Sequence, residues 1–197
     1  MGQIAEASDV STKTLYNLFS NRTTLLLAAA SQHLDNLDTS EAIVEVEPGV
    51  ARIVEFTRSA LQLFQRAPNF MESVISVVVG ISADEEAEHH RIGKTQARYL
   101  AELQAASQAG ELLPDTDCEQ LAQVLTASQW GVALMWQKGL MTADEMRHLA
   151  IQKHCVDLIP FCTPTRRKWL ETVQALAARG LDSAEVIALP TDARKAG

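Results

Sequence analysis

Apolar positions recur along most of the chain at helical spacings of three and four, without the sustained alternation of a half-buried strand. After Arg22 the series Leu25, Leu26, Ala29, His33 and Leu37 marks one helix. Val50, Ile53, Val54, Leu61 and Phe64 mark another, which must end before Pro68. Residues 70–81 are apolar on nearly every side, as in a helix at the centre of a bundle, although the β-branched run Val77-Val78-Val79 also suits a strand. The acidic "DEEAE" favours the positive end of a helix running from Asp84 to Ser107 on a stripe of Ile92, Tyr99, Leu100 and Leu103, with Gly110 as its stop.

Residues 118–137 form a long helix with Leu121, Val124, Leu125, Ser128, Val132 and Met135 or Trp136 along one face and Gly139 as its stop. Thr142 and Glu145 have the spacing of a capping box, opening a helix through Met146, Leu149, Ala150, Val156 and Ile159 that Pro160 ends or bends. Thr163-Pro164 opens one more, with Trp169, Leu170, Val173 and Leu176, closed by Gly180. In "TSEAIVEVEPG" the periodicity lapses and Pro48-Gly49 breaks the chain. The pattern thus divides a head, residues 1–40, from a body, residues 49–189, followed by a flexible tail, residues 190–197.

Composition narrows this to an all-α protein. Hydrophobic residues are 47% of the 197-residue chain, charged residues 21% and aromatics 5%. That is enough apolar material for a core, carried mainly by Ala and Leu. No run approaches about 18 apolar residues and no leader pattern opens the chain, so a cytoplasmic protein without a membrane partner is expected. Cys118, Cys155 and Cys162 match neither a disulfide framework nor a CxxC site and read as reduced thiols. His89 and His90 are adjacent, which on a helix points them about 100° apart. With His148, His154 and Cys155 they read as a solvated face or core, so no metal and no cofactor is expected. No Ser-His-Asp arrangement, phosphate loop or catalytic carboxylate pair stands out, which argues against an enzyme.

The head carries the chemistry. Ile4, Ala5 and Ala7 suit the inner side of a short helix, "SDV" a tight turn, and Ser11 the N-cap of a second helix, Thr12 to Phe19. In a helix-turn-helix the second helix enters the major groove with its N-terminal residues nearest the bases. There Thr12, Lys13 and Thr14, with Ser11 before them, can donate to base edges or phosphates. Tyr16 and Asn17 reach the backbone one turn on, and Arg22 opens a helix whose free N–H groups suit a phosphate. Val10, Leu15 and Phe19 are left to face the core. The same spacing also fits a capped helical hairpin with no DNA role. The net charge of −8 makes any DNA contact a local matter.

"IAEASDVSTKTLYNLFSNRTTLL" closely resembles the DNA-binding signature of the tetracycline-repressor (TetR) family. The positions that carry the resemblance are Ile4, Ala5, Ala7, Val10, Ser11, Thr14, Leu15, Tyr16, Phe19, Arg22, Leu25 and Leu26. A weaker likeness lies in "AGELLPD" before a long helix. The resemblance implies an all-α homodimeric repressor whose head binds a palindromic double-stranded DNA operator and whose body binds a small effector. It would place Leu121, Val124, Leu125, Ser128, Val132, Met146, Leu149 and Val156 in a dimer seam, where Gly131 and Ala133 would let helices approach. Phe64, Phe70, Val74, Val78, Tyr99, Trp130 and Trp136 would line the effector cavity, plain core being the other reading. Residues 22–37, joining head to body, would be the lever between them.

Two departures from the family stand out. Asp9 replaces the glycine usual in the turn, and Asp tolerates a left-handed conformation better than most residues. The family's heads also carry a further helix before this motif, whereas the chain starts at Met1. A head without it would expose Ile4, Ala5, Leu15 and Leu18 or Phe19, at a cost of several kcal/mol at roughly 25 cal/mol per Å2. Its residues 1–40 hold Lys13 and Arg22 against Glu6, Asp9, Asp35 and Asp38. The expectation is an incomplete record of a normal repressor, with a dimeric helical sensor of weak or no DNA binding as the alternative.

Overall fold

A computed structural model describes residues 1–79 and 85–181, and in them the chain is all-α. In order come α1 (Gly2–Ala7), α2 (Thr12–Leu18), α3 (Arg22–Asp38), α4 (Glu41–Val44), α5 (Val50–Arg66) and α6 (Pro68–Val79). After them come α7 (Glu85–Gln108), α8 (Cys118–Gln137), α9 (Ala143–Leu158), a 3-10 turn (Ile159–Phe161) and α10 (Pro164–Ala178). Among the described residues the extended pairing is an isolated bridge between Leu112 and Cys162. None of the described helices is long and apolar enough to cross a membrane. The expected tail, residues 190–197, lies outside the described residues, as do the side chains of His89 and His90.

Most helix ends sit where local chemistry puts them. The capping box before α9 is formed: Thr142 Oγ1 accepts from the Glu145 N–H at 3.2 Å, and Glu145 Oε2 accepts from the Thr142 N–H at 2.7 Å. Residues 68–79 are helix and not strand, starting at Pro68, whose missing N–H costs nothing in a first turn. Met71, Val74, Ile75 and Val78 are buried at helical spacing. That packing overrides the β preference of the valine run. The linker holds an unexpected turn of helix, α4, because Ser40 starts it and Ile43, 4% exposed, anchors it. A single anchor in four residues shows no periodicity.

The body's core falls into two clusters. One joins α5, α7, α8, α9 and α10 through Ile53, Leu103, Leu125, Leu158 and Leu170. The second joins α3, α5, α6, α8 and α9 through Leu27, Phe64, Ile75, Ala133 and Met146. Leu27 and Ala30 commit the middle of α3 to this second cluster, so the helix that begins beside the head ends as part of the body.

The start of α5 is held by acids from a distant segment. Glu111 Oε2 accepts from the Val50 N–H at 2.9 Å, and Glu102 Oε2 accepts from the Gly49 N–H at 2.9 Å. Both satisfy donors at the positive end of α5. Glu111 also pairs with Arg166, which lies over the Trp169 ring. Gly49 has φ 125°, and a Cβ there would stand 2.6 Å from Glu111 Oε2. Only glycine leaves room for that carboxylate.

Candidate functional site

The first two helices form a short pair joined by a tight turn. Asp9 sits at φ 51°, taking the left-handed conformation that the turn demands. Ser11 caps α2 by accepting from the Thr14 N–H at 3.0 Å, and Asn21 caps α3 by accepting from the Thr24 N–H at 2.8 Å. Leu15 is buried and Ala5 with it, while Phe19 is half-buried. Thr12, Lys13, Thr14, Tyr16 and Asn17 of α2 are all exposed, as are Ser11 and Arg22 on either side. The expectation that Ala5 and Leu15 would face water is corrected, because α1 packs on α2 and covers them. Val10 was expected in the core and is exposed; Ile4 and Leu18 are exposed too, Leu18 at 68%.

A cavity opens beside the second core cluster, between α3, α5, α6, α7 and α8. Of the expected effector residues, Phe64, Val74 and Trp130 line it. The other four do not. Val78 is buried and Phe70 half-buried in the same cluster, Trp136 packs edge-on against Phe64 with centroids 4.9 Å apart, and Tyr99 faces a polar chain. Periodicity could not separate a cavity wall from its backing, since both are apolar. It also missed the wall's polar members: His33 from α3, Thr95 from α7 and Gln129 from α8.

Two of the wall's nitrogens lack partners. His33 Nε2 and Trp130 Nε1 are both buried without a hydrogen bond. An unmet buried polar atom costs about 1–3 kcal/mol. Burial first, then the nearby Arg66 charge, lowers the His33 pKa, so its ring is neutral at neutral pH. Among the described residues no Lys, Arg, Asp or Glu lines the cavity.

Behind the cavity runs a buried polar chain. Tyr99 Oη donates to Gln129 Oε1 at 2.7 Å and lies 3.3 Å from Thr57 Oγ1, which is 2.9 Å from His154 Nδ1. His154 Nε2 lies 3.1 Å from the Leu125 carbonyl. A carbonyl only accepts, so Nε2 carries the proton and Nδ1 is the acceptor facing the Thr57 hydroxyl, whose one proton the Ile53 carbonyl at 2.9 Å also draws on. Burial is the largest influence on His154 and holds its pKa near about 4. The chain ties α5, α7, α8 and α9 together, and Gln129 belongs both to it and to the cavity wall.

The residues expected in a dimer seam divide between two faces. Leu121, Leu125, Val132 and Met146 are buried within the single chain, and Ser128 Oγ donates to Asp157 Oδ2 at 2.7 Å. The first four thus pack within their own chain, whereas Ser128 and Leu149 are half-buried. Val124 and Val156 are exposed, at 41% and 48%. On α8 the exposed stripe is Val124, Ala127, Gly131 and Met135. The helix is apolar on both sides, so spacing could not choose between them.

The three cysteines are free. Burial, the main cause, pushes the Cys155 and Cys162 thiols up to about 12, so they stay protonated at neutral pH. Among the described residues no group of three or more His, Cys, Asp or Glu gathers to hold a metal. No family model, curated protein or solved structure matches the chain.

Proposed function

We propose that the chain is a ligand-responsive DNA-binding regulator of the TetR type, acting as a homodimer on a palindromic operator. The observation that carries this reading is α3. It begins at the capped, exposed Arg22 shortly after α2 in the chain, and about 12 to 17 Å further on, at 1.5 Å per residue, it gives Ala30 and His33 to the cavity wall. Thr12, Lys13 and Thr14 read bases or phosphates at the start of α2, Tyr16 and Asn17 touch the backbone, and the start of α3 takes a phosphate. A ligand acts by favouring one arrangement of α3 over another, and it shifts DNA affinity only as far as its own affinity differs between the two.

A homodimer is the form this reading needs, since two recognition helices must engage two half-sites together. The exposed α8 stripe supports it. Gly131 has no neighbouring atom of its own chain within 4 Å of an added Cβ, which leaves space for close approach of another helix. The second reading, a dimeric ligand-binding module without DNA, is favoured by the charges of residues 1–40, Lys13 and Arg22 against four acids, Glu6, Asp9, Asp35 and Asp38. Retention of duplexes from a random-sequence library by the purified chain decides between them. The regulator reading expects an enriched inverted repeat with half-sites about one helical turn apart. A library returned unchanged establishes the second reading.

A further inference from the structure

We infer that α1 and α2 are ordered by the operator itself: in the free chain the pair is open more than closed, and duplex DNA draws it into the helix-turn-helix that reads the groove. The inference rests on the DNA-binding reading above and adds to it a folding step that sets operator affinity.

Helices shorter than about 12–15 residues are marginal in water on their own. α1 has 6 residues and α2 has 7, so the pair depends on packing. Little packing is present. Of residues 2–20 whose side chains are described, Ala5 and Leu15 are buried, Phe19 is half-buried, and the rest are exposed. Ala5 and Leu15 belong to neither core cluster of the body, and the first residue along the chain that does is Leu27. Ile4, Val10 and Leu18, which a self-sufficient head would bury, face water. The bonds of Ser11 with Thr14 and of Asn21 with Thr24 close within a single turn. Among the described residues no hydrogen bond or ion pair joins residues 1–21 to the body; such a tie is found further on, where Asp35 of α3 pairs with Lys94 of α7. Every ordered residue gives up backbone freedom, and two buried side chains do not offset that for the whole segment.

Duplex DNA supplies what the body does not. Thr12, Lys13, Tyr16 and Asn17 are exposed on α2, and they reach base edges and phosphates together only when α2 is helical and α1 covers Leu15. Contact with the duplex therefore favours the closed pair over the open one. The apparent dissociation constant then exceeds the intrinsic one by the inverse of the closed fraction, so a change in the pair's own stability passes into operator affinity.

Hydrogen–deuterium exchange of the intact chain, free and bound to a library-selected duplex, tests this. In the free chain the amides of α1 and α2 should exchange within about tenfold of the rate of an unstructured chain, with those of α8 and α9 slowed roughly a thousandfold or more. The duplex should slow α1 and α2 by about tenfold or more. Ala5→Gly keeps every charge and every group on the exposed side of α2. By the penalty of glycine within a helix it should weaken binding of the selected duplex about two- to fivefold in fluorescence anisotropy. Protection of α1 and α2 equal to that of α9 in the free chain, a bound duplex that leaves their exchange unchanged, or wild-type affinity in Ala5→Gly would each overturn the inference and leave the DNA-binding reading standing. A library from which no duplex is selected would overturn that reading and this inference with it.

Discussion

His154 makes the body sensitive to acid. It is wholly buried and neutral, with a folded pKa of about 4 against an ordinary value of 6.5. Between those values the unfolded chain binds a proton that the folded chain refuses, so stability falls as pH drops through that window and levels off below it. The shift corresponds to about 3 kcal/mol in all. Urea unfolding at pH 7 and pH 4.5 should show the loss. His154→Leu should be less stable at pH 7, because Thr57 and the Leu125 carbonyl each lose one of their partners, yet less dependent on pH across the same window. An unchanged pH slope in the variant would contradict this assignment. Asp9 gives a second residue-scale prediction. At φ 51° an aspartate is tolerated but a glycine is at ease, so Asp9→Gly should raise stability by about 0.5–1 kcal/mol in thermal melts, and Asp9→Ala should lower it.

Among the elements, those with strong caps and one-sided periodicity were readable from the chain. Thr142 and Glu145 announced α9, residues 118–137 with Gly139 as their stop became α8, and the run from Arg22 to Leu37 became α3 within one residue. The face each helix buries was less readable. α8 is apolar on two sides, and which side met the chain's own core depended on where α9 and α7 lay. The acid lock at the start of α5 was hidden for a different reason: Glu102 and Glu111 lie 53 and 61 residues from the N–H groups they accept, and nothing local signals such a pairing. Glu111→Ala would free two of these partners at once, the Val50 N–H and the Arg166 guanidinium. A loss of about 2–4 kcal/mol in urea unfolding is expected, and a loss below about 1 kcal/mol would show that the lock is not structural.

At the scale of the whole molecule, α3 follows α2 in the chain and reaches the cavity wall, and α8 carries an exposed stripe of Val124, Ala127, Gly131 and Met135. The exposure of α2 was legible from residue type and order: a cap, three small polar or basic residues, then Tyr and Asn. The cavity was legible only in part, since Phe64, Val74 and Trp130 were expected but His33 and Gln129 were not. A lone polar residue on an apolar helix reveals its surroundings only after folding. If the α8 stripe is the dimer seam, Gly131→Arg should convert dimer to monomer in sedimentation velocity without loss of helix, and an unchanged mass would place the seam elsewhere. The proposed role of α2 is to read DNA. Its most direct test is fluorescence anisotropy of a library-selected duplex and a scrambled duplex, each titrated with the wild-type chain and with Lys13→Ala. Wild type should prefer the selected duplex, and Lys13→Ala should lose about 1–3 kcal/mol of that affinity with its helix content intact. Equal binding of both duplexes by the wild type, or equal affinity of the two proteins for the selected one, would contradict it.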